Sequence, residues 1–274
     1  MRQGFYRITR GACLIFLVAC LHRTDAAETA QLATLEQGQS IHFENPPPRI
    51  ANASSDVNYN LELTNETYEI FVPRNYSDKD SFGIFVFIDS QNEMTIPKEW
   101  ASIMEKEKLI CLIPQKIGND QMTPRRLGVA YVGILKTMER YNIDSKRIFT
   151  AGYSGGARCS LHLALIHSDV IRGNISICGA DFYEPVPKVK ATDNSNYGVW
   201  PVTRDRVIFA KTQVRFVFIT GDRDFRHGNI LDIYEGGFLK NGFQAKLIDE
   251  PNTGHQLCSP ESLTTAIHFL NDKQ

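Results

Sequence analysis

The sequence predicts an α/β fold in which a mostly parallel central sheet is covered by helices on both faces. Short apolar runs alternate with helical patterns along the chain, and this order is typical of a parallel sheet. Several runs are apolar almost throughout, as expected of strands that are buried on both faces. The predicted strands are residues 67–73, 82–88, 109–113, 147–151, 174–178, 214–220 and 244–249.

Two of the predicted helices have clear start signals. Residues 123–142 begin with Thr123 as a cap and Pro124 in the first turn, and the C-terminal run "SPESLTTAIHFL" begins in the same way with Ser259 as its cap. Each helix is expected to bury one face. The apolar positions that predict this face in the first helix are Leu127, Tyr131, Ile134, Leu135 and Met138.

Composition and charge are those of a globular protein. Of the 274 residues, 42% are hydrophobic and 22% are charged, so neither disorder nor a fibrous repeat is indicated. The formal net charge is -1, and the charges are spread rather than clustered. This distribution indicates no nucleic-acid partner. We expect one large α/β domain over residues 61–274.

The N-terminal residues are predicted to direct export. Arginines precede an apolar run that is too short to cross a bilayer, which is typical of a secretory signal peptide over residues 1–19. The run "LVAC" resembles a bacterial lipobox in which Cys20 is lipidated, and cleavage near "TDAA" at 24–27 is the alternative. Both predict a periplasmic or extracellular protein, with membrane attachment only through the lipid. Residues 20–60 are read as a tether and lead-in, because they are polar and contain consecutive prolines.

Four cysteines remain after the predicted leader: Cys111, Cys159, Cys178 and Cys258. Cys111 and Cys178 lie in apolar runs, which favours buried thiols. Export permits disulfides, and four cysteines allow three pairings, among which Cys178 with Cys258 is favoured because both are expected near one end of the sheet. The sequence has no CxxC motif and no Cys/His spacing typical of a metal site. We therefore predict no metal site.

The run "AGYSGGA" at residues 151–157 predicts a nucleophile. Gly152, Ser154 and Gly156 satisfy the pattern GxSxG between a predicted strand and a predicted helix. In that setting the glycines relieve crowding around a strained turn, which lifts the serine hydroxyl above the sheet. The alternative is an ordinary glycine-rich turn, and the flanking elements favour the nucleophile.

A serine nucleophile needs a histidine base and a carboxylate that orients it. Asp222 and Asp224 follow a predicted strand, and His255 lies in the loop after the last strand. His227 competes as the base, but it shares a loop with the aspartates, so His255 is preferred. The order serine, acid, histidine agrees with a known hydrolase arrangement. The other histidines considered, which are expected to pack or to face solvent, are His162, His167 and His268.

These motifs resemble the α/β-hydrolase superfamily, in particular exported esterases of the feruloyl esterase and polyhydroxybutyrate depolymerase type. The resemblance covers residues 65–271 and rests on "FVPRNY" and "YNIDSKRIFTAGYSGG" together with GYSGGA. It implies the α/β-hydrolase fold and a serine esterase that acts on a small or polymeric ester without a cofactor. The family spacing G-x-x-D after Gly221 selects Asp224 over Asp222. A serine peptidase on the same fold and a noncatalytic binding lipoprotein remain open alternatives.

The predicted oxyanion hole departs from the resemblance at one position. Gly155, the residue after the nucleophile, is expected to supply one backbone N–H, and Gln91 the other. The family carries an "HG" pair before the second donor, whereas this chain has Asp89 and Ser90. A carboxylate there opposes an oxyanion unless it points away or is paired.

Residues 181–206 are read as an insert beside the site. The segment is rich in Pro, Asn and aromatic residues and precedes the strand that carries the acid. Tyr183, Tyr197 and Trp200, together with Tyr153 beside the nucleophile, are expected to form a substrate-binding wall. The alternative is a surface loop whose aromatic side chains seal the edge of the core.

Overall fold

The computed structural model describes residues 66–191 and 198–272, and the backbone of residues 39–42. The predicted signal peptide, Cys20 and Tyr197 lie outside the described residues, as does most of the predicted lead-in. Within the described ranges, no helix combines the length and the apolar character needed to cross a membrane.

A single mixed sheet organises the described residues. Its strands are β1 (Gln39–His42), β2 (Thr67–Phe71), β3 (Phe82–Ile88), β4 (Leu109–Pro114), β5 (Ile143–Tyr153), β6 (Gly173–Ile177), β7 (Arg215–Gly221) and β8 (Gln244–Glu250). Their order across the sheet is β1-β2-β4-β3-β5-β6-β7-β8. β2 pairs antiparallel with β1 and with β4, and all the other pairs are parallel. The predicted mostly parallel sheet is therefore confirmed.

Helices cover both faces of the sheet, as predicted. They are α1 (Lys98–Lys106), α2 (Thr123–Arg140), α3 (Gly155–Ile166), α4 (Arg204–Gln213), α5 (His227–Asp232) and α6 (Pro260–Asn271), and a π-helix (Ile233–Leu239) follows α5. α1 and α6 pack together on one face, whereas α2 and α3 pack on the other and α4 packs against α3. Two apolar clusters, one for each face, form the core.

The start of α6 agrees with the sequence, and the start of α2 does not. The Ser259 hydroxyl accepts the Ser262 N–H at 3.2 Å, which is the predicted cap. Met122, not Thr123, precedes α2, and it provides no side-chain cap. Met138 is 36% exposed, because Thr137 occupies the inward position of that turn and its hydroxyl donates to the Gly133 carbonyl at 2.7 Å.

The predicted pairing of Cys178 with Cys258 is wrong. All four described cysteines are free and buried. The Cys178 Sγ instead lies 3.2 Å from the Gln256 carbonyl oxygen. The described residues consequently form no disulfide.

Candidate active site

Ser154 lies on a sharp turn between β5 and α3. Its backbone has φ 55° and ψ -118°, a conformation that residues other than glycine rarely adopt. The turn closes only because its flanking glycines are bare: a Cβ on Gly152 would meet the Gly156 carbonyl, and a Cβ on Gly156 would meet the Ile88 carbonyl. The GxSxG spacing thus lets the first turn of α3 approach the carboxyl end of β3.

The structure brings Ser154, His255 and Asp224 into one hydrogen-bonded row. His255 Nε2 lies 2.9 Å from Ser154 Oγ, and His255 Nδ1 lies 2.7 Å from Asp224 Oδ1. The three residues follow β5, β7 and β8, which are parallel and whose carboxyl ends meet at the same edge of the sheet. Ligand sites of open α/β sheets lie at this edge.

The Asp224 carboxylate is fully buried and well supplied with donors. Oδ1 also accepts the Arg226 backbone N–H at 2.9 Å, Oδ2 accepts the Thr220 hydroxyl at 3.2 Å, and the Cys178 thiol is a further donor. Burial alone raises the pKa of Asp224, but the hydrogen bonds from His255 and the neighbouring donors outweigh it and lower the pKa below its usual value. Asp224 is therefore suited to remain ionised beside the imidazole.

The loop that carries His255 is fastened to the turn that carries Ser154. The Tyr153 hydroxyl donates to the His255 carbonyl at 2.8 Å, and the Phe225 ring lies 4.4 Å from the imidazole, centroid to centroid. Burial raises the pKa of Tyr153 to about 12, which keeps the phenol protonated as the donor. Tyr153 is absent from the described lining of the cleft beside Ser154, in contrast to its predicted place in a substrate-binding wall.

The competing acid and base lie elsewhere. Asp222 is exposed, and its backbone N–H pairs with the Glu250 carbonyl. The His227 ring pairs with Asp249 at 2.9 Å, so it points away from Ser154.

The other three histidines have packing or surface positions. His162 packs against Trp200, His167 stacks on Tyr131 with 3.6 Å between the ring centroids, and the exposed His268 pairs with Glu107. Burial lowers the pKa of His162 to about 4 and that of His167 to about 3, which makes both rings neutral near neutral pH. None of the three rings is hydrogen-bonded to Ser154 in the described part of the chain.

The region of the predicted oxyanion hole lies where the β3 and β5 ends adjoin. Gly155 begins α3, and the exposed Gln91 follows β3, which pairs with β5 as far as Ile88 and Gly152. Asp89 does not project its charge freely, because its Oδ1 accepts the Ser90 N–H at 2.6 Å and the Ser90 hydroxyl at 3.3 Å. These hydrogen bonds hold the carboxylate toward Ser90, but they do not neutralise its charge.

A buried arginine that the sequence analysis did not single out joins these turns. Arg126 donates from Nη2 to the Asp89 carbonyl at 3.0 Å, from Nη1 to the Gly155 carbonyl at 3.4 Å, and from Nε to the Ile117 carbonyl at 2.7 Å. Only 5% of Arg126 is exposed. Its guanidinium brings positive charge under the backbone that would surround an oxyanion.

A cleft of about 360 Å³ opens beside Ser154. Its described lining includes Asn119, Arg126, Arg158, Asp181, Trp200 and Arg226. Of the predicted aromatic wall, only Trp200 among the described residues lines the cleft. Tyr183 packs instead against Phe182 and Phe243, with ring centroids 4.3 and 6.1 Å apart, and so it seals the core.

The insert is anchored to α3 through one buried carboxylate. Asp181 accepts the Arg158 Nε and the Gly198 backbone N–H, each at 2.7 Å, and the Trp200 indole is a third donor. Phe182 and Val199 form a bridge between the two sides of the insert. This anchoring holds Trp200 at the wall of the cleft, where it also packs on His162.

The arginines of the cleft had only weak sequence signals. Arg158 is the one charged residue in the run "GGARCSLHLALI" of α3, one helical turn after the nucleophile. Arg126 is likewise a charged residue beside apolar ones, because it begins the buried stretch of α2. A charged residue within an apolar helix face is the sequence signal that could have identified both arginines.

Among the described residues, one group has side chains that could bind a metal ion, and it consists of Cys178, Asp224 and His255. Their candidate ligand atoms lie within 4.8 Å of one another. However, burial raises the pKa of the Cys178 thiol, and a protonated thiol is a poor ligand. Asp224 and His255 already bind each other, so the donor set suits proton transfer better than metal binding.

No protein-family model matches the sequence, and no curated protein matches it. Solved structures do resemble it. An S-formylglutathione hydrolase from Staphylococcus aureus has a TM-score of 0.61 at 12% identity, and the match covers 85% of this chain and 98% of that one. A feruloyl esterase module from Clostridium thermocellum has a TM-score of 0.60 at 12% identity, over 85% and 88%.

A thermostable esterase is a third similar structure, with a TM-score of 0.55 and 14% identity. The match covers 79% of this chain but only 55% of that protein, so the chain spans little more than half of its length. At such identities the likeness shows the fold alone. Together with the strand order and the serine turn, these matches establish that the chain has the α/β-hydrolase fold.

Proposed function

We propose that this protein is a serine hydrolase that cleaves carboxylic esters through an acyl-enzyme. The observation that carries the proposal is the row of hydrogen bonds from Ser154 through His255 to the buried Asp224. A serine hydroxyl near neutral pH needs such a base to become a useful nucleophile. The similar structures whose names describe esterases agree with this chemistry.

In the first half-reaction, Ser154 Oγ attacks the ester carbonyl carbon while His255 Nε2 accepts the hydroxyl proton. The carbonyl oxygen becomes an oxyanion, which the Gly155 N–H would stabilise, with Gln91 as the second proposed donor. The imidazolium then returns its proton to the alcohol oxygen as the ester bond breaks. Asp224 stabilises the charged imidazole and fixes its orientation.

In the second half-reaction, water replaces the alcohol. His255 takes a proton from the water as its oxygen attacks the acyl carbon, and a second oxyanion forms at the same place. The proton is then delivered to Ser154 Oγ, and the carboxylic acid leaves. The enzyme returns to its starting state, so the cycle consumes one ester and one water.

Labelling with a fluorophosphonate probe tests the nucleophile. We expect the purified protein to react once, at Ser154, and Ser154→Ala to lose both labelling and ester hydrolysis. Asp224→Asn, which keeps the shape of the side chain, is expected to retain the fold and to lose about 10⁴-fold in kcat. Asp222→Asn is the matched control, and it should behave as the unmodified protein.

Other outcomes distinguish the alternatives. Faster turnover of an aminoacyl amide than of the ester with the same acyl group would point to a peptidase that uses the same residues. A folded protein that neither reacts with the probe nor turns over any ester would overturn the proposal and favour a noncatalytic binding protein.

We propose further that the protein is exported and attached to a membrane by lipid at Cys20. The basis is the sequence alone, with an arginine-containing apolar leader that ends in "LVAC". Mass spectrometry of the mature N-terminus tests this. A diacylglyceryl-modified Cys20 is expected, and an unmodified N-terminus near residues 24–27 would show that ordinary cleavage occurs.

A further inference from the structure

The cleft beside Ser154 carries more positive than negative charge in its described lining. Arg126, Arg158 and Arg226 line it, whereas Asp181 is its one described carboxylate. The two cysteines that line it, Cys159 and Cys178, are neutral because burial raises the pKa of each thiol. The titratable groups of this lining would therefore repel a cationic substrate and attract an anionic one.

Arg158 is the arginine best placed to contact a ligand. Its side chain is 38% exposed, in contrast to that of Asp181, which is 4% exposed. Asp181 binds the Nε of Arg158, and the structure gives the two terminal nitrogens no hydrogen bond within the described residues. Because Asp181 is itself held by Gly198 and Trp200, the guanidinium is oriented before any ligand arrives.

From this geometry we propose that Arg158 is a specificity residue that binds a carboxylate on the substrate, so that the preferred substrates are esters carrying a second, ionised carboxyl group. This proposal rests on the proposed ester hydrolysis at Ser154. A guanidinium binds a carboxylate with paired, charge-assisted hydrogen bonds. Nη1 and Nη2 of Arg158 provide the donors for that contact.

The spacing of the site favours a short substrate. Arg158 follows Ser154 by four residues, about one turn of α3. Esters with about four methylene groups between the ester carbonyl and the carboxylate are therefore a suitable length for the test. A cleft of about 360 Å³ is at the small end of the range for ligand sites and suits such a molecule.

Matched esters test the proposal on the unmodified protein. Monomethyl adipate is compared with methyl hexanoate, which places the carboxylate in the acyl part. The acetate ester of ω-hydroxypentanoate is compared with pentyl acetate, which places it in the alcohol part. We expect the anionic member of one pair to have a kcat/KM higher by about 10- to 100-fold. The pair that shows the preference identifies which part of the ester enters the cleft.

Variants assign the preference to Arg158. Arg158→Gln is expected to lower kcat/KM for the anionic ester much more than for its neutral partner, so that the ratio between the two falls to about one. Arg158→Lys retains the charge and should keep part of the preference. It replaces the glutamine variant in the test if that variant does not fold. Arg74→Gln is the matched control, because Arg74 is exposed and pairs with Glu105 outside the described lining of the cleft.

The failures of the two proposals are distinguishable. If the unmodified protein hydrolyses neutral esters through Ser154 as well as it hydrolyses the anionic ones, the carboxylate proposal is overturned and the proposed function stands. A preference that survives in Arg158→Gln would also overturn it. If no ester is hydrolysed and Ser154 does not react with the fluorophosphonate probe, the proposed function itself fails.

Discussion

At the scale of single residues, Asp224 depends on donors from several parts of the chain. His255 and Arg226 bind one carboxylate oxygen, Thr220 binds the other, and Cys178 contributes a thiol from the end of the neighbouring strand. The thiol is the least expected of these donors. Its sulfur also lies 3.2 Å from the Gln256 carbonyl oxygen, in the residue that follows the histidine.

Substituting Cys178 should therefore change the pH dependence of hydrolysis. Cys178→Ala removes one donor, which raises the pKa of Asp224, and we expect kcat/KM for a neutral ester to fall by about 2- to 5-fold. The loss should grow toward acid pH. Cys178→Ser supplies a hydroxyl donor and should restore the profile of the unmodified protein, whereas identical profiles for all three proteins would show that the thiol only fills space.

Sequence reasoning could place Ser154, an aspartate and His255 at one edge of the sheet, because each follows a recognisable strand. Asp222 follows the same strand as Asp224, and only the G-x-x-D spacing of the resemblance selected Asp224. The pairing of Arg158 with Asp181 could not be predicted in the same way, since it joins a helix to an irregular insert. No periodic pattern in the sequence indicates where the insert packs back against α3.

At the scale of elements, the turn between β5 and α3 is held by the neighbouring strand. The first turn of α3 reaches the end of β3 only because Gly156 has no side chain at its contact with the Ile88 carbonyl. This contact couples the position of Ser154 to the middle of the sheet.

Gly156→Ala should consequently destabilise the protein. The added methyl group overlaps a backbone atom that cannot rotate away, so we expect a loss of about 1–3 kcal/mol in the free energy of unfolding, measured by urea denaturation. Gly254→Ala is the matched control, because nothing lies within 4 Å of a Cβ at that position. Equal losses for the two variants would contradict the tight approach.

The elements that the sequence predicted best are those with one unambiguous pattern. β3 is buried at every position, and its predicted bounds agree with the structure. β5 begins four residues earlier than predicted, because Ile143 lies opposite Phe82, and the register then shifts before Ile148 lies opposite Ile84. α4 was not predicted, since Ile208 and Phe209 are exposed and weaken its periodicity. β1 was also missed, and it lies within the segment read as a lead-in.

At the scale of the whole molecule, the fold tolerates great change in sequence. Proteins that share only 12–14% of its residues have a similar architecture. Burial of apolar strands between helix layers requires a pattern rather than particular residues, so the fold can persist while the side chains of the cleft differ. The charge of this cleft is therefore argued from the residues of this chain alone.

The buried histidines should make the whole molecule sensitive to mild acid. The pKa of His162 is lowered to about 4, so between pH values of about 6.5 and 4 the unfolded chain binds a proton there that the folded chain does not. Folding stability is thus expected to fall across this window, with a contribution from His162 of up to about 3 kcal/mol.

Urea denaturation at several pH values checks this expectation. His162→Gln should make the dependence between pH values of about 6.5 and 4 less steep, because glutamine does not titrate whereas the buried His167 still does. A variant whose stability falls as steeply as that of the unmodified protein would show that His162 does not contribute to the acid sensitivity.

The insert meets α3 through the Asp181 carboxylate, whereas the row from Ser154 through His255 to Asp224 is carried by turns at the ends of parallel strands. Arg158 itself lies on α3, so the insert contributes the partner that orients this arginine and not the arginine. Exchanging the insert would therefore change how Arg158 is presented in the cleft while the hydrogen-bonded row keeps its supporting strands.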